Sequence, residues 1–348
     1  MVENIFPHAY TEFQPLEEVI VGRSYSTKNL DWLPKKMGKV TKRLLTYLLD
    51  ETEEDYQNFI KVIKQYGAKV YRPNYDDVFC MTEYPYLMNP RDTQIVLDNK
   101  IIFANSAKVI TQDFAKLLPH YAKYFLRDKK LNNLSCSSVV RIGKTIIVDS
   151  NKGACTEKHY DYLKNLLTPL GYNVIYYQTH NFKFEALGCH ADGCFAILKP
   201  GVLLTLRPKY MYTDGLFPNW DTCTLQSEGP KINLWKQFKK SKKNIGDVKK
   251  LFWFFDEKYK EKEFYEAINT WLSDWVGYAK ETVFDINVLS LDEQHVCVSN
   301  YNKKAFDYFK KHKIEPIIVP WRHRFFWDGG LHCASLDIKR RGGLETYL

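Results

Sequence analysis

The sequence has no uninterrupted apolar run of roughly 18 residues, the length a membrane-spanning helix needs. Its opening, Met1 to Pro7, has neither a basic region nor an apolar core, so no secretory signal is expected. Eight cysteines occur without paired short spacings, which argues against a disulfide framework and against a structural zinc site. A reducing, cytoplasmic location is the expectation. No nucleic-acid-binding motif is present, so a nucleic-acid partner is not expected.

What the chain does have is apolar material: 45% hydrophobic and 15% aromatic residues over 348 positions, ample for a large core. The net charge of +9 comes from 50 Lys and Arg against 41 Asp and Glu. Much of it lies in Lys236–Lys243 and at Lys249 and Lys250, a run read as a solvated face or loop rather than an anion-binding surface.

One figure recurs along the chain. Two β-rich runs flank a tight turn in Thr93–Ala104, again in Val139–Val148, in Cys194–Thr205 and in Asn287–Val298. Helical text and a short strand follow several copies: Glu157–Leu170 then Asn173–Tyr177, and Lys303–His312 then Glu315–Pro320. Thr111–Arg127 reads as the helix after the first hairpin. Near the N-terminus, a helix around Arg43–Tyr66 stops at Gly67 and leads into the strand Lys69–Pro73. The final strand, near Cys333–Lys339, is expected to pair with the first, Glu18–Gly22, and so complete a fifth hairpin. Stacked repeats closed by their two ends leave few exposed strand edges. The expectation is one α/β domain over residues 1–348, five-fold pseudo-symmetric, with a Trp- and Lys-rich helical insertion at 214–282.

Polar residues stand at the entry to each hairpin. They are Asn89–Asp92, Ser135–Ser138, Cys189–Gly193, Phe284–Ile286 and Gly329–Cys333. In a pseudo-symmetric ring these entries converge, so His190 can meet Cys333 despite their separation in sequence. Cys333, behind Gly329 and Gly330, is either a nucleophile or a buried structural thiol. A nucleophilic thiol needs a base or cation beside it, and His190 is the candidate, with Asp192 oriented the same way. His332 is the rival base, but adjacent strand residues point to opposite faces, so it is expected to turn away.

Several segments together resemble the amidinotransferase family of guanidine-modifying enzymes. They are Pro15–Gly22, Pro90-Arg91-Asp92, His190-x-Asp192 with Pro200-Gly201, Asn287–Glu293, Gly329-Gly330-x-His332-Cys333 and Leu336–Gly342. The resemblance implies a pentein-like five-bladed α/β propeller closed by pairing of the N- and C-terminal strands. It implies Cys333 as nucleophile toward a guanidine donor, arginine first, with an amine as acceptor. His190 and Asp192 would complete the catalytic set. Arg91, Asp92, Ser135, Ser138, Lys209 and Asp285 would bind substrate, with no cofactor or metal, and a homodimer is compatible with it. Three positions depart from the family's pattern. Ser135 and Ser138 stand where acids are usual, and Lys209 stands for an arginine, keeping the charge but losing the planar fork. A guanidine hydrolase and a non-catalytic binding homologue are the alternatives.

Overall fold

The structure, a computed structural model, describes residues 6–27, 38–73, 88–104, 114–150, 155–178, 190–206, 215–225, 261–264, 266, 283–327 and 329–348. Among them are five three-stranded sheets. In chain order the strands are β1 (Leu16–Val21), β2 (Lys69–Tyr71), β3 (Gln94–Leu97), β4 (Lys100–Phe103) and β5 (Phe125–Arg127). Then come β6 (Val139–Ile142), β7 (Thr145–Ser150), β8 (Asn173–Gln178), β9 (Phe195–Lys199) and β10 (Val202–Thr205). The last five are β11 (Asp221–Thr224), β12 (Leu289–Ser290), β13 (His295–Val298), β14 (Glu315–Ile318) and β15 (Ser335–Arg340).

Every sheet repeats one plan: an antiparallel pair, then a third strand parallel to the middle one. Four antiparallel pairs are the hairpins β3–β4, β6–β7, β9–β10 and β12–β13. The fifth joins the chain's ends: β1 and β15 pair antiparallel, with Val19 opposite Asp337 and Val21 opposite Ser335. Two hairpins turn through a left-handed first residue, Asp98 at φ 53° and Gly143 at φ 59°. A parallel third strand needs a crossover, and helices Lys39–Gln65, Glu157–Leu167 and Lys303–Lys311 supply three of them. Helix Lys39–Gln65 buries Leu44, Leu45, Leu48, Phe59, Ile60 and Ile63 along one side. Each fully buried Leu or Phe of this kind contributes about 1.5–3 kcal/mol.

Neighbouring sheets share apolar cores. Val19, Ile20 and Val21 of β1 pack with Ile101 and Phe103 of β4 and with Leu289 and Cys297 of the β12–β13 hairpin. Ile95 and Ile102 pack with Val139, Ile146 and Val148. Val140 and Ile147 pack with Phe195, Ile197 and Leu203. Leu198 and Leu204 pack with Val288, Val296 and Val298.

Two local expectations change. The text read as one helix to Arg127 breaks at Pro119, which lacks the amide hydrogen a helix interior uses, and Phe125–Arg127 becomes β5. Residues 221–224, read as the start of an insertion, form β11, so the third sheet is completed there. Its sequence, Asp-Thr-Cys-Thr, carries no strong apolar alternation because this outer strand is only partly buried. Most of 226–282 lies outside the described residues. The described cysteines, Cys136, Cys155, Cys194, Cys223, Cys297 and Cys333, are buried. No helix among the described residues is long and apolar enough to cross a membrane.

Charge sits at the centre of this apolar frame. Asp337 on β15 faces Arg91, Arg141 and Arg340, and Glu12, ahead of β1, faces Arg91 and Arg141. Arg141 and Arg340 are among the largest fully buried side chains. Burial opposes ionisation, yet Arg91 and Arg141 hold both carboxyls far below the ordinary carboxylate range, with Arg340 adding to the effect on Asp337. Removing one member of such a group strands the others in low dielectric. Asp337→Ala should therefore lower unfolding stability by about 3–5 kcal/mol in a denaturant titration.

Candidate active site

Short helical turns stand at the strand entries: Pro90–Thr93 before β3, Cys136–Ser138 before β6, Ala191–Cys194 before β9 and Val283–Ile286 before β12. Adjacent turns touch one another, and the Pro90–Thr93 turn also touches β15. The convergence expected from the repeat is thus present among these entries.

Cys333 lies in the turn that opens β15 and is buried. Its position is set by Asn287, whose Oδ1 accepts from the Cys333 amide at 3.0 Å while Nδ2 donates to Sγ at 3.0 Å. The two glycines before it are sterically required. A Cβ on Gly330 would lie 2.7 Å from Asn287 Oδ1, and one on Gly329 would lie 2.6 Å from Asn89 Nδ2. The Cys333 thiol donates to Asp192 Oδ2 at 3.3 Å. Burial pushes the thiol far up, the Asp192 and Asp92 carboxylates push it further, and the Asn287 amide opposes them.

Burial alone would also lift the Asp192 carboxyl. The hydrogen bond and charge of His332, with the charges of His190 and Arg91, hold it below its ordinary value. His190 Nδ1 stands 3.4 Å from Asp92 Oδ1, an electrostatic contact too poorly aligned to count as a hydrogen bond. Two buried carboxylate oxygens, Asp92 Oδ1 and Asp192 Oδ1, accept no hydrogen bond. Orphaned acceptors of this kind suit a donor-rich cation.

The remaining expected residues divide. Arg91 is not turned to a ligand: its guanidinium donates to the His332 and Ser335 carbonyls and pairs with Glu12 and Asp337. Asp285 accepts from Asn302, the residue capping helix Lys303–Lys311, and so ties a turn to that helix. Ser135 shares a hydrogen bond with Ser137 at 3.0 Å, and the fully buried Ser138 hydroxyl has no partner. Lys209 lies outside the described residues. No group of three or more His, Cys, Asp or Glu among the described residues is placed to hold a metal ion.

Asn287 and Glu12 were given no role in the sequence reading, and His332 stood there only as a rival base to His190. His332 lines a cleft with Glu12, Arg91, Asp192 and Val140. It is far from idle there, because its Nδ1 meets Asp192 at 2.9 Å and its Nε2 meets Glu12 at 2.9 Å. No spacing rule brings Glu12 to His332, and Asn287 looked like part of an ordinary strand.

No family model matches the chain. A glycine amidinotransferase of Xenopus laevis is 22% identical over an alignment covering 97% of this chain and 84% of that protein. An L-arginine:L-lysine amidinotransferase of Pseudomonas savastanoi pv. phaseolicola is 37% identical over 71 residues, 20% of each chain. The resemblance is to the amidinotransferases. Two solved amidinotransferases extend it. The inosamine-phosphate enzyme StrB1 of Streptomyces griseus has a TM-score of 0.65 at 17% identity, covering 98% of this chain and 99% of that one. SxtG of Microseira wollei, from saxitoxin biosynthesis, has a TM-score of 0.63 at 19% identity over the same shares. A dimethylarginine dimethylaminohydrolase superposes with a TM-score of 0.57 at 9% identity, over 92% of this chain and 99% of that one. At these identities the structural likeness to amidinotransferases and to the hydrolase shows the fold: α/β with five small sheets.

The Asn287 clamp carries a direct prediction. With Asn287→Ala the thiol loses its one stabilising side-chain donor, so the pH midpoint of Cys333 alkylation by iodoacetamide should rise. At a fixed pH below that midpoint the reaction should slow by about tenfold, equivalent to about 1.4 kcal/mol. An unchanged alkylation profile in a folded variant would show that Asn287 only shapes the backbone.

Proposed function

We propose that this protein is a cysteine-dependent amidinotransferase that takes an amidino group from a guanidine donor, arginine the first candidate, and passes it to an amine. The observation that carries the reading is the pairing of a buried thiol with two carboxylates whose outer oxygens lack hydrogen-bond partners. Asp192 touches Cys333, and Asp92 faces His190. The whole chain is read as one domain closed into a ring, supported by the β1–β15 pairing and the cores shared between neighbouring sheets.

The chemistry follows from the electrostatics. Without substrate, burial and the two carboxylates keep the thiol protonated. A guanidinium held between Asp92 and Asp192 cancels those charges, so binding the substrate itself favours the thiolate. The thiol proton passes to His190, and the sulfur attacks the guanidinium carbon. As the carbon–nitrogen bond to the departing amine breaks, His190 gives that amine the proton. The acceptor amine then attacks the amidino carbon, its proton goes to His190, and the carbon–sulfur bond breaks to restore the thiol. The fold shared with dimethylarginine dimethylaminohydrolase supports a second reading, in which water attacks the amidino carbon in place of the amine, the carbon–sulfur bond breaks and urea leaves.

Intact-mass spectrometry after mixing with arginine tests the first half. Wild type should gain one amidino group and Cys333→Ala none; free alkylation of Cys333 without an adduct from any guanidine would rule the enzyme reading out. Adding glycine or lysine to the loaded protein then separates the two readings. Transfer to the amine supports the transferase, whereas urea released at the same rate with and without amine supports the hydrolase.

The serines at 135 and 138 leave this site with less negative charge than the family's usual pattern. Ser135→Asp should accelerate adduct formation from arginine by about tenfold, a gain of about 1.4 kcal/mol, measured by rapid-quench mass spectrometry. A slower variant would show that Asp92 and Asp192 already suffice.

A further inference from the structure

One carboxylate oxygen, Asp192 Oδ2, is shared. It receives the Cys333 thiol at 3.3 Å and His332 Nδ1 at 2.9 Å. The opposite ring nitrogen of His332 stands 2.9 Å from Glu12 Oε2. A neutral imidazole donates from one nitrogen only, whereas an imidazolium donates from both. Two carboxylates at hydrogen-bond distance on opposite edges therefore match the charged ring.

The charges around it explain why a cation belongs there. Three carboxylates, Glu12, Asp192 and Asp337, share this buried region with three guanidiniums, Arg91, Arg141 and Arg340. Those six cancel formally, and the Asp92 carboxylate also acts on the Cys333 thiol, so a proton on His332 places a balancing positive charge next in sequence to Cys333. The groups that face His332 come from separate parts of the chain. They are Glu12 ahead of β1, Arg91 at the entry to β3, Asp192 at the entry to β9, and Asp337 on β15. Burial and Arg91 push the ring toward neutrality, and the hydrogen bonds with Asp192 and Glu12 overcome them, leaving its pKa raised. A raised histidine stabilises the fold below its unfolded pKa, and that contribution is lost as pH rises through the folded one. The depressed carboxyls of Asp192 and Glu12 behave in the opposite sense, losing theirs as pH falls. The arrangement is therefore strongest in mildly acidic solution, above the ordinary carboxylate range and below the ordinary histidine value.

We propose that His332 is a positioning residue: held as an imidazolium between Glu12 and Asp192, it fixes the carboxylate that touches Cys333 and supplies the positive charge that offsets the thiolate. The proposal rests on Cys333 being the nucleophile of the reading above, but its test needs no guanidine.

Iodoacetamide alkylation of Cys333 across pH is the readout. His332→Gln keeps a hydrogen-bond donor and removes the charge. Its alkylation midpoint should move to higher pH, with a rate near neutrality about tenfold below wild type, and His332→Lys should recover part of the loss. A folded His332→Gln with the wild-type pH profile would overturn the proposal. So would a His332→Lys profile no better than that of His332→Gln. Should neither variant fold, histidine nitrogen NMR on the wild-type chain decides. Both ring nitrogens of His332 should remain protonated well above the ordinary histidine range, and a neutral tautomer at pH 7 would sink the idea. An alkylation shift in a protein that forms no adduct with arginine would leave this inference standing and remove only the amidinotransferase reading.

Discussion

The buried ion cluster around Asp337 and Glu12 is the constraint on which the rest depends. Taking a carboxylate or guanidinium out of water costs several kcal/mol for each ion, even after relaxation. That cost is offset only when every partner arrives together. Glu12 comes from ahead of the first strand, Arg91 from the entry to β3, Arg141 from β6, and Asp337 and Arg340 from β15. Formation of the cluster therefore brings the two ends of the chain and two internal units into one arrangement. Arg91 carries this over to the chemistry, because it also takes the carbonyls of His332 and Ser335 on either side of Cys333.

A second tie holds the segment that leads to Cys333. The segment before Gly329 is fastened to helix Lys39–Gln65 by Arg322 on Asp55, His323 on Glu51, and the Trp327 indole on Thr52. Trp321 donates to the Gly329 carbonyl from within the same segment. The long helix after β1 thus does more than connect two strands. Its partly buried polar side supports the loop that delivers Cys333, while its apolar side fills the core.

The resulting site is poised rather than activated. A thiol among carboxylates is a poor nucleophile until a cation enters, which guards against adventitious thiol chemistry. Asn287 and His332 temper that suppression from two directions, one on the sulfur and one through Asp192.

Much of the repeat plan was legible in the linear text. Alternation and tight turns marked the hairpins at Asp98 and Gly143, and the text near Cys333–Lys339 was assigned to Glu18–Gly22, which it does pair with. Local rules worked there because hairpin register and helical burial are properties of neighbouring residues. They failed at β11, where a polar, partly buried edge strand carries no such pattern, and at Phe125–Arg127, where Pro119 ended the helix early. At the site, the sequence by itself determined which groups exist: a thiol behind two glycines, a His190-x-Asp192 pair, and an Arg91-Asp92 pair. Only the tertiary structure decided their roles. Arg91 and Asp92 are adjacent, yet one is locked into the ion cluster and the other faces His190. His332 and Cys333 are neighbours in sequence and meet through one oxygen of Asp192. Such partnerships cross from one repeat to the next, and the energy of a buried charge depends on all its neighbours at once, which no stretch of sequence contains.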